Sequence, residues 1–111
     1  MKFTMYSDPG HGWLRIKSED AYALGLNVDD FTPYSYRSND NRYWYLEEDL
    51  DASTFIAIWE SKMGHPLRYD SRHTNGQSSI RKKKPLSNYR TWDRDAYYER
   101  RNMLKEESAN G

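Results

Sequence analysis

Residues 43–63 read YWYLEEDLDASTFIAIWESKM, and within this stretch the apolar spacing changes from every second residue to every third or fourth. The run from Tyr43 to Leu46 has the aromatic and aliphatic composition of a strand. After it, apolar side chains recur at the spacing of one helix face, at Phe55, Ile58, Trp59 and Met63. Because Asp51 precedes this pattern and Gly64 and Pro66 follow it, we expect a helix bounded by Asp51 as its N-cap and by these two residues at its end.

Upstream of this stretch, a cluster of turn-forming residues predicts a β-hairpin. Ser38-Asn39-Asp40-Asn41 separates residues 34–36 from residues 43–46, and both flanking runs are rich in tyrosine. The strand that leads into the helix is therefore expected to be the second strand of a hairpin.

The N-terminal part of the chain repeats this order of elements. Residues 2–6 and 13–16 are expected to form a first hairpin around Asp8-Pro9-Gly10, in which Pro fixes one φ and Gly10 supplies an unusual one. Ser18 is then expected to cap a helix of about two turns that ends at Gly25. The chain thus predicts two hairpins, each followed by a helix.

The C-terminal third is basic and less regular. Residues 73–79 have loop composition, and residues 81–85 are too strongly charged to be buried. Thr91 or Asp93 is expected to cap a last helix that runs through about Glu107. We therefore predict an α+β fold whose basic C-terminal extension is partly helical.

The size and composition of the chain indicate one small domain with an aromatic core. We expect residues 1–90 to form that domain and residues 91–111 to form a helical extension with a frayed end. Leu, Ile, Val and Phe account for only 16 of 111 residues, whereas 17 residues are aromatic. Each large ring can bury about 150–250 Å², so the aromatic side chains are expected to supply the core that the few aliphatic ones cannot.

Several functional classes are excluded or disfavoured by composition. The sequence has no cysteine, which excludes disulfide scaffolds, thiolate zinc sites and a thiol nucleophile. No apolar run approaches a membrane span, and the first residues lack the apolar core of a signal peptide. A cytoplasmic protein with no membrane contact is expected.

The formal net charge of zero conceals a division along the chain. Residues 1–66 hold 6 Lys and Arg against 11 Asp and Glu, and residues 67–111 hold the reverse. Such a division indicates either that the two halves pair with each other or that one of them faces a charged partner.

The first motif with chemical potential is Asp8-Pro9-Gly10-His11-Gly12. It resembles the segment with which zinc-dependent N-acetylmuramoyl-L-alanine amidases present their first histidine ligand after a strand. Such a site also needs a Glu and a second His, and although His65 lies at a plausible distance, no carboxylate stands at residues 25–27. The alternative is a hairpin turn with an exposed His11, and a small metal-dependent hydrolase is only the third reading of the chain.

The second motif is the acidic run Glu47-Glu48-Asp49-Leu50-Asp51 directly before the predicted helix. Its simplest role is structural, because Asp51 would cap the helix and its neighbours would oppose the positive helix terminus. The alternatives are an acidic docking surface formed by Glu47, Glu48 and Asp49, or a Mg²⁺ site.

The third candidate is the basic segment 68–90, which contains a single acidic residue. Its cations are Arg68, Arg72, Arg81, Lys82, Lys83, Lys84 and Arg90. With tyrosines interspersed, such a segment could neutralise phosphates and stack on bases, as single-strand binders do. The alternatives are contact with a protein partner or pairing with the acidic half of the same chain.

Four tyrosines form the remaining candidate surface: Tyr34, Tyr36, Tyr43 and Tyr45. An exposed row of tyrosines offers large amphipathic contact area at low entropic cost and is typical of protein-binding patches. The alternative is that these rings belong to the core, with Trp44 on the opposite face of its strand. His65 and His73 are interpreted as ordinary surface histidines.

Several of these segments together resemble one group of proteins. Residues 6–13 (YSDPGHGW), the Tyr34-Ser35-Tyr36 triplet and residues 45–51 (YLEEDLD) are similar to segments of small uncharacterised proteins from tailed bacteriophages and other mobile elements. The similarity spans roughly residues 3–90. The chain departs from the group at Leu50, where a Cys is common, so thiol chemistry at that position is not essential here.

The resemblance implies a phage accessory protein that acts in the cytoplasm of the bacterial host. Small proteins of that kind often bind a host enzyme or defence complex and block it. We therefore expect a non-catalytic protein without a cofactor that binds and modulates or inhibits a bacterial host protein, in host takeover or anti-defence. A nucleic-acid-binding accessory protein that uses residues 68–90 is the alternative.

Overall fold

The computed structural model describes residues 3–110, so Lys2, placed in the first predicted strand, lies outside the described residues. The helices are α1 (Ser18–Ala23), α2 (Asp51–Met63) and α3 (Arg94–Asn110). The strands are β1 (Phe3–Ser7), β2 (Gly12–Lys17), β3 (Tyr36–Arg37), β4 (Tyr43–Glu47), β5 (Tyr69–His73) and β6 (Lys84–Pro85). They form one sheet in the order β5-β1-β2-β4-β3-β6, and the α+β fold class is confirmed.

The two predicted hairpins form the centre of this sheet. β1 pairs antiparallel with β2, and β3 pairs antiparallel with β4. β2 and β4 are joined directly along their length, so the hairpins share one continuous surface. The second hairpin is shorter than expected, because Tyr34 and Ser35 precede β3 rather than belonging to it.

Both edge strands of the sheet were missed by the sequence analysis. β5 runs parallel to β1 after the α2 crossover, and all its residues are exposed. β6 is a two-residue strand that pairs with β3 and contains Lys84 and Pro85. Edge strands are often short, charged or proline-containing because such features prevent pairing with other chains. Because of these features, neither β5 nor β6 shows the alternation of apolar and polar residues by which a strand is recognised in a sequence.

The helix ends only partly follow the predicted capping. Ser18 is the first residue of α1 rather than its cap, and its hydroxyl donates to the carbonyl oxygen of Arg42 at 3.3 Å. Gly25 does end α1: its φ is +79°, and the N–H of Leu26 donates to the carbonyl oxygen of Ala21 at 2.9 Å. This pattern is the Schellman motif, in which a left-handed residue closes the helix.

Two other predicted helix boundaries are also confirmed. Gly64 adopts a left-handed φ of +76° immediately after α2. Asp93 precedes α3, and its Oδ1 accepts hydrogen bonds from the backbone N–H groups of Asp95 and Ala96. Asp93 rather than Thr91 is thus the cap of the last helix.

The core lies between the sheet and the helices and is largely aromatic, as expected. The Phe3 ring packs edge-on against Phe55 and Trp59, with centroid distances of 5.9 and 5.6 Å. On the other side of the cluster, Phe31 packs against Trp44 at 5.9 Å. All three helices contribute to this cluster, and α3 packs against α2 with Leu104 buried. The helices therefore cover one face of the sheet.

Candidate functional site

The face of the sheet that points away from the helices is rich in aromatic side chains. We call it the open face, and it carries Tyr6, Trp13, Arg15, Lys17, Tyr36, Tyr43, Tyr45 and Glu47. Side chains alternate along a strand, so Trp44 and Leu46 enter the core while Tyr43 and Tyr45 point the other way. Tyr36 is the registered partner of Tyr45 and shares that face.

Cations already lie over the tyrosine rings of the open face. The guanidinium carbon of Arg15 is 5.6 Å from the ring centroid of Tyr6 and 5.2 Å from that of Tyr43. Lys83 Nζ is 5.2 Å from the ring centroid of Tyr45. Cation–π contacts of this kind are favourable at such distances and hold both partners in place. The open face is therefore a partly ordered surface of tyrosine and positive charge.

One end of the open face is closed by an ion pair between Asp8 and Arg81. The Asp8 side chain is only 1% exposed, and its two oxygens accept from Arg81 Nε at 2.7 Å and Nη2 at 2.8 Å. The same carboxylate accepts from the backbone N–H groups of Gly10, His11 and Ser78. The paired guanidinium and these N–H donors hold the pKa of Asp8 far below its usual range.

The glycines of the DPGHG motif lie close to charged side chains and do not adopt left-handed backbone angles. The φ of Gly10 is not in the left-handed region, contrary to the prediction. Instead, a Cβ on Gly10 would lie 3.0 Å from Arg81 Nη2, and a Cβ on Gly12 would lie 2.5 Å from Glu48 Oε2. Gly10 therefore makes room for Arg81, which its pairing with Asp8 holds in place, whereas the exposed Glu48 side chain can move away from Gly12.

Next to this ion pair lies a pocket of about 370 Å³, which we call the hairpin-end pocket. Its lining residues are His11, Trp13, Tyr34, Tyr36, Glu47, Asp49, Leu50 and Arg81. Trp13 is 2% exposed, and its indole N–H donates to the carbonyl oxygen of Tyr34 at 3.4 Å. Its ring lies 6.2 Å from Tyr36, and the guanidinium carbon of Arg81 lies 5.3 Å from its centroid. The pocket thus has a fixed aromatic wall.

The acidic run contributes to the other side of the hairpin-end pocket. Glu47 is 7% exposed, and its Oε2 accepts from the backbone N–H groups of Asp49 and Leu50, each at 3.1 Å. Burial raises the pKa of Glu47, and the hydrogen bonds from these two backbone N–H groups offset part of that rise. Asp49 is exposed and lines the pocket, while Glu48 is exposed beside Gly12. Glu47 therefore stabilises the turn before α2 while facing the pocket.

Asp51 is not the cap of α2, and this prediction was wrong. The N-cap residue is Leu50, whose side chain cannot accept a hydrogen bond, and Asp51 is 0% exposed. Its Oδ2 accepts from the Thr32 N–H at 2.9 Å, from the Thr32 hydroxyl at 2.7 Å and from the Ser35 hydroxyl. Its Oδ1 accepts from the Tyr97 hydroxyl at 2.8 Å. Asp51 joins α2 to α3 and to the segment before β3, and burial raises its pKa.

The cations of segment 68–90 do not form one patch. Arg68 and Arg72 lie before and within β5 at one edge of the sheet, and Lys84 lies in β6 at the opposite edge. Lys82 and Arg90 are exposed, whereas Lys83 and Arg81 are half-buried by the contacts described above. The segment therefore crosses the molecule from one sheet edge to the other.

The three histidines are not brought together. The His11 ring lies 6.1 Å from Trp13, the His65 ring packs on Trp59 at 5.1 Å, and His73 Nδ1 forms a 2.9 Å hydrogen bond with the Ser7 hydroxyl. Within residues 3–110, no group of three or more His, Asp or Glu side chains is arranged to hold a metal ion. The ligand set of the amidase reading is not assembled among these residues.

The four predicted tyrosines fall into two environments. Tyr36, Tyr43 and Tyr45 are half-buried on the open face and lie outside the core cluster. Tyr34 is 50% exposed beside the hairpin-end pocket, where its ring contacts Tyr89 and Trp92. Sequence reasoning did not single out Trp13 or Arg15, although the alternation in β2 places both on the same face as these tyrosines.

Comparisons of this chain with protein-family models, with curated proteins and with solved structures give no match. Among residues 3–110, no helix combines the length and apolarity needed to cross a membrane.

Proposed function

We propose that this chain is a phage-encoded accessory protein that binds a bacterial host protein and modulates or inhibits it without catalysing a reaction. It would act in the host cytoplasm, during host takeover or against host defence. The observation that supports the proposal is the open face, where aromatic and basic side chains cover a sheet surface on the side away from the three helices.

The composition of the open face favours a protein partner. Residues that dominate binding energy in protein interfaces are enriched in Trp, Tyr and Arg, which are the residues gathered here. The contacts of Arg15 with Tyr6 and Tyr43 order these side chains before any partner arrives. Less conformational entropy is then lost on binding, so more of the contact energy appears as affinity.

Single-stranded nucleic acid is the second candidate ligand, because Arg15 and Lys83 place positive charge among rings on which bases could stack. Two features weigh against it. The cations of segment 68–90 are spread across the sheet, from Arg72 in β5 at one edge to Lys84 in β6 at the other, with Lys83 near Tyr45 between them. The charge of Arg81 is neutralised by Asp8, which interrupts the positive charge along this path.

The proposal is tested by affinity capture from a bacterial lysate with matched tyrosine variants. Wild-type protein is expected to retain one host protein in near-stoichiometric amount, and Tyr45→Ala on the open face is expected to lose it. Tyr22→Ala is the control, because Tyr22 is 51% exposed but belongs to α1 on the helix side. Equal capture by all three proteins would show that the open face is not the binding surface.

A separate measurement distinguishes the nucleic-acid alternative. Lys82, Lys83 and Lys84 are replaced together by Gln, and Arg81 is left intact because its pairing with Asp8 is structural. If these lysines contact phosphates, oligonucleotide binding weakens and its salt dependence flattens by about one unit for each lost contact. If they guide a protein partner instead, the variant associates more slowly with the captured host protein.

A further inference from the structure

The hairpin-end pocket contains a carboxylate oxygen that the protein does not use. Glu47 is nine-tenths buried, and only its Oε2 accepts hydrogen bonds, from the backbone before α2. Within residues 3–110, Glu47 Oε1 has no hydrogen-bond partner, and it keeps contact with solvent. It can therefore accept a hydrogen bond from a ligand that enters the pocket.

The charge balance of the pocket favours a cation. Glu47 and Asp49 both line it. The lining contains one guanidinium, that of Arg81, and two of its nitrogen atoms donate hydrogen bonds to the Asp8 carboxylate. The three carboxylates and the one guanidinium together carry net negative charge, which attracts a cation and repels a phosphate.

The aromatic side chains of the pocket favour one type of cation over another. Trp13 and Tyr36 meet at a centroid distance of 6.2 Å, and the hydrogen bond from Trp13 Nε1 to Tyr34 fixes the indole. The Arg81 guanidinium already lies 5.3 Å from the Trp13 centroid, so the half-buried Tyr36 ring is the aromatic surface left for a ligand cation. Guanidinium is planar and weakly hydrated, and it donates in a fork that matches carboxylates, whereas ammonium is compact and strongly hydrated.

We infer that the hairpin-end pocket binds the guanidinium of an arginine side chain presented by the partner protein, with Glu47 Oε1 and Asp49 as acceptors. This inference rests on the proposed function, because it assigns one anchor point of the partner. The volume of about 370 Å³ lies within the range of pockets that enclose small ligands.

The test uses small probes and needs no partner. N-acetyl-arginine amide is titrated into ¹⁵N-labelled protein while the four tryptophan indole N–H resonances are followed. We expect a saturable shift at Trp13, with little change at Trp44, Trp59 and Trp92. N-acetyl-citrulline amide has nearly the same shape without the charge, and it is expected to bind at least about tenfold more weakly.

Two variants locate the acceptors. Glu47→Gln retains an oxygen for the backbone N–H groups of Asp49 and Leu50 and removes the charge, and it is expected to weaken arginine binding about tenfold. Asp49→Asn is expected to weaken it about threefold, because Asp49 is exposed. Glu19→Gln, an exposed carboxylate on α1, is the control and leaves binding unchanged.

The inference is overturned by any of three results. These are equal binding of the citrulline probe, shifts spread over all four indoles, or tighter binding of adenosine or cytidine monophosphate than of the arginine probe. The result of the arginine titration does not depend on the lysate capture. Loss of capture in Tyr45→Ala tests the open face, whether or not the hairpin-end pocket binds arginine. Failure of the inference can therefore be distinguished from failure of the proposed function.

Discussion

Replacing Asp51 tests the most buried polar group of the protein. In Asp51→Ala, four donors lose their acceptor: the backbone N–H of Thr32 and the hydroxyls of Thr32, Ser35 and Tyr97. The hydroxyls can turn towards other acceptors, but the N–H cannot, and each donor left unpaired costs about 1–3 kcal/mol. We expect Asp51→Ala to lower the free energy of unfolding by about 3–5 kcal/mol.

The size of this loss separates a buried network from a helix cap. Loss of an N-cap costs about 1 kcal/mol, and Ser replaces Asp at that position with little change. In the network, Asp51→Ser is expected to be nearly as damaging as Asp51→Ala, because its single short hydroxyl cannot reach donors on both sides. Asp49→Ala is the matched control, since Asp49 is exposed, and its effect is expected to stay within about 0.5 kcal/mol.

The free energy of unfolding is measured by urea unfolding followed by tryptophan fluorescence. Midpoints are compared between variants whose free energy of unfolding depends equally steeply on urea concentration. A double-mutant cycle with Tyr97→Phe adds a direct test, because the Tyr97 hydroxyl donates to Asp51 Oδ1 at 2.8 Å. Groups in such contact show coupling energies of about 0.5–3 kcal/mol. A stable Asp51→Ser variant, together with additive effects in the cycle, would refute the network and restore the capping role.

Three further predictions concern the core, the ion pair and a helix end. Trp59→Ala is expected to cost about 3–5 kcal/mol in urea unfolding, and an unchanged midpoint would contradict the packing of α2. The pKa of Asp8 is lower in the folded state than in the unfolded state, so its stabilising contribution is present above about pH 4 and is lost as pH falls. Asp8→Asn should remove this part of the acid sensitivity in unfolding curves, and identical pH profiles would disprove it. Gly25→Ala should cost about 1–2 kcal/mol because φ is +79°, whereas Gly76→Ala, at an open position, should change little in the same assay.

The fold was predictable wherever local periodicity reflects burial. The change of period after Leu46 gave β4 and α2, and the turn residues gave both central hairpins. The β5 strand was not predictable in this way, because its pairing with β1 satisfies the backbone while every side chain stays exposed. β6 contains only Lys84 and Pro85, so it carries no pattern of its own.

The candidate site was predictable in some of its residues and not in its geometry. The tyrosines and the acidic run were identified from composition, but a linear pattern does not show that Asp51 turns inward while Asp49 turns outward. Asp51 is buried because Thr32, Ser35 and Tyr97 supply donors from distant segments. An Asp before an apolar helix face is equally consistent with a cap, so only the tertiary contacts separate the two roles.

The two oppositely charged halves of the sequence are joined by ion pairs within the molecule. The ion pairs Asp8–Arg81 and Asp30–Arg100 each join a carboxylate of the acidic half to a guanidinium of the basic half. Arg81 fastens the segment after β5 to the first hairpin, and Arg100 fastens α3 to the 3-10 turn Val28–Asp30. These arginines pair within the molecule, whereas Lys82 and Lys84 are exposed. Substitution of Arg81 is therefore expected to lower stability, whereas substitution of Lys82 or Lys84 is expected to leave stability unchanged and to slow only the association with a partner.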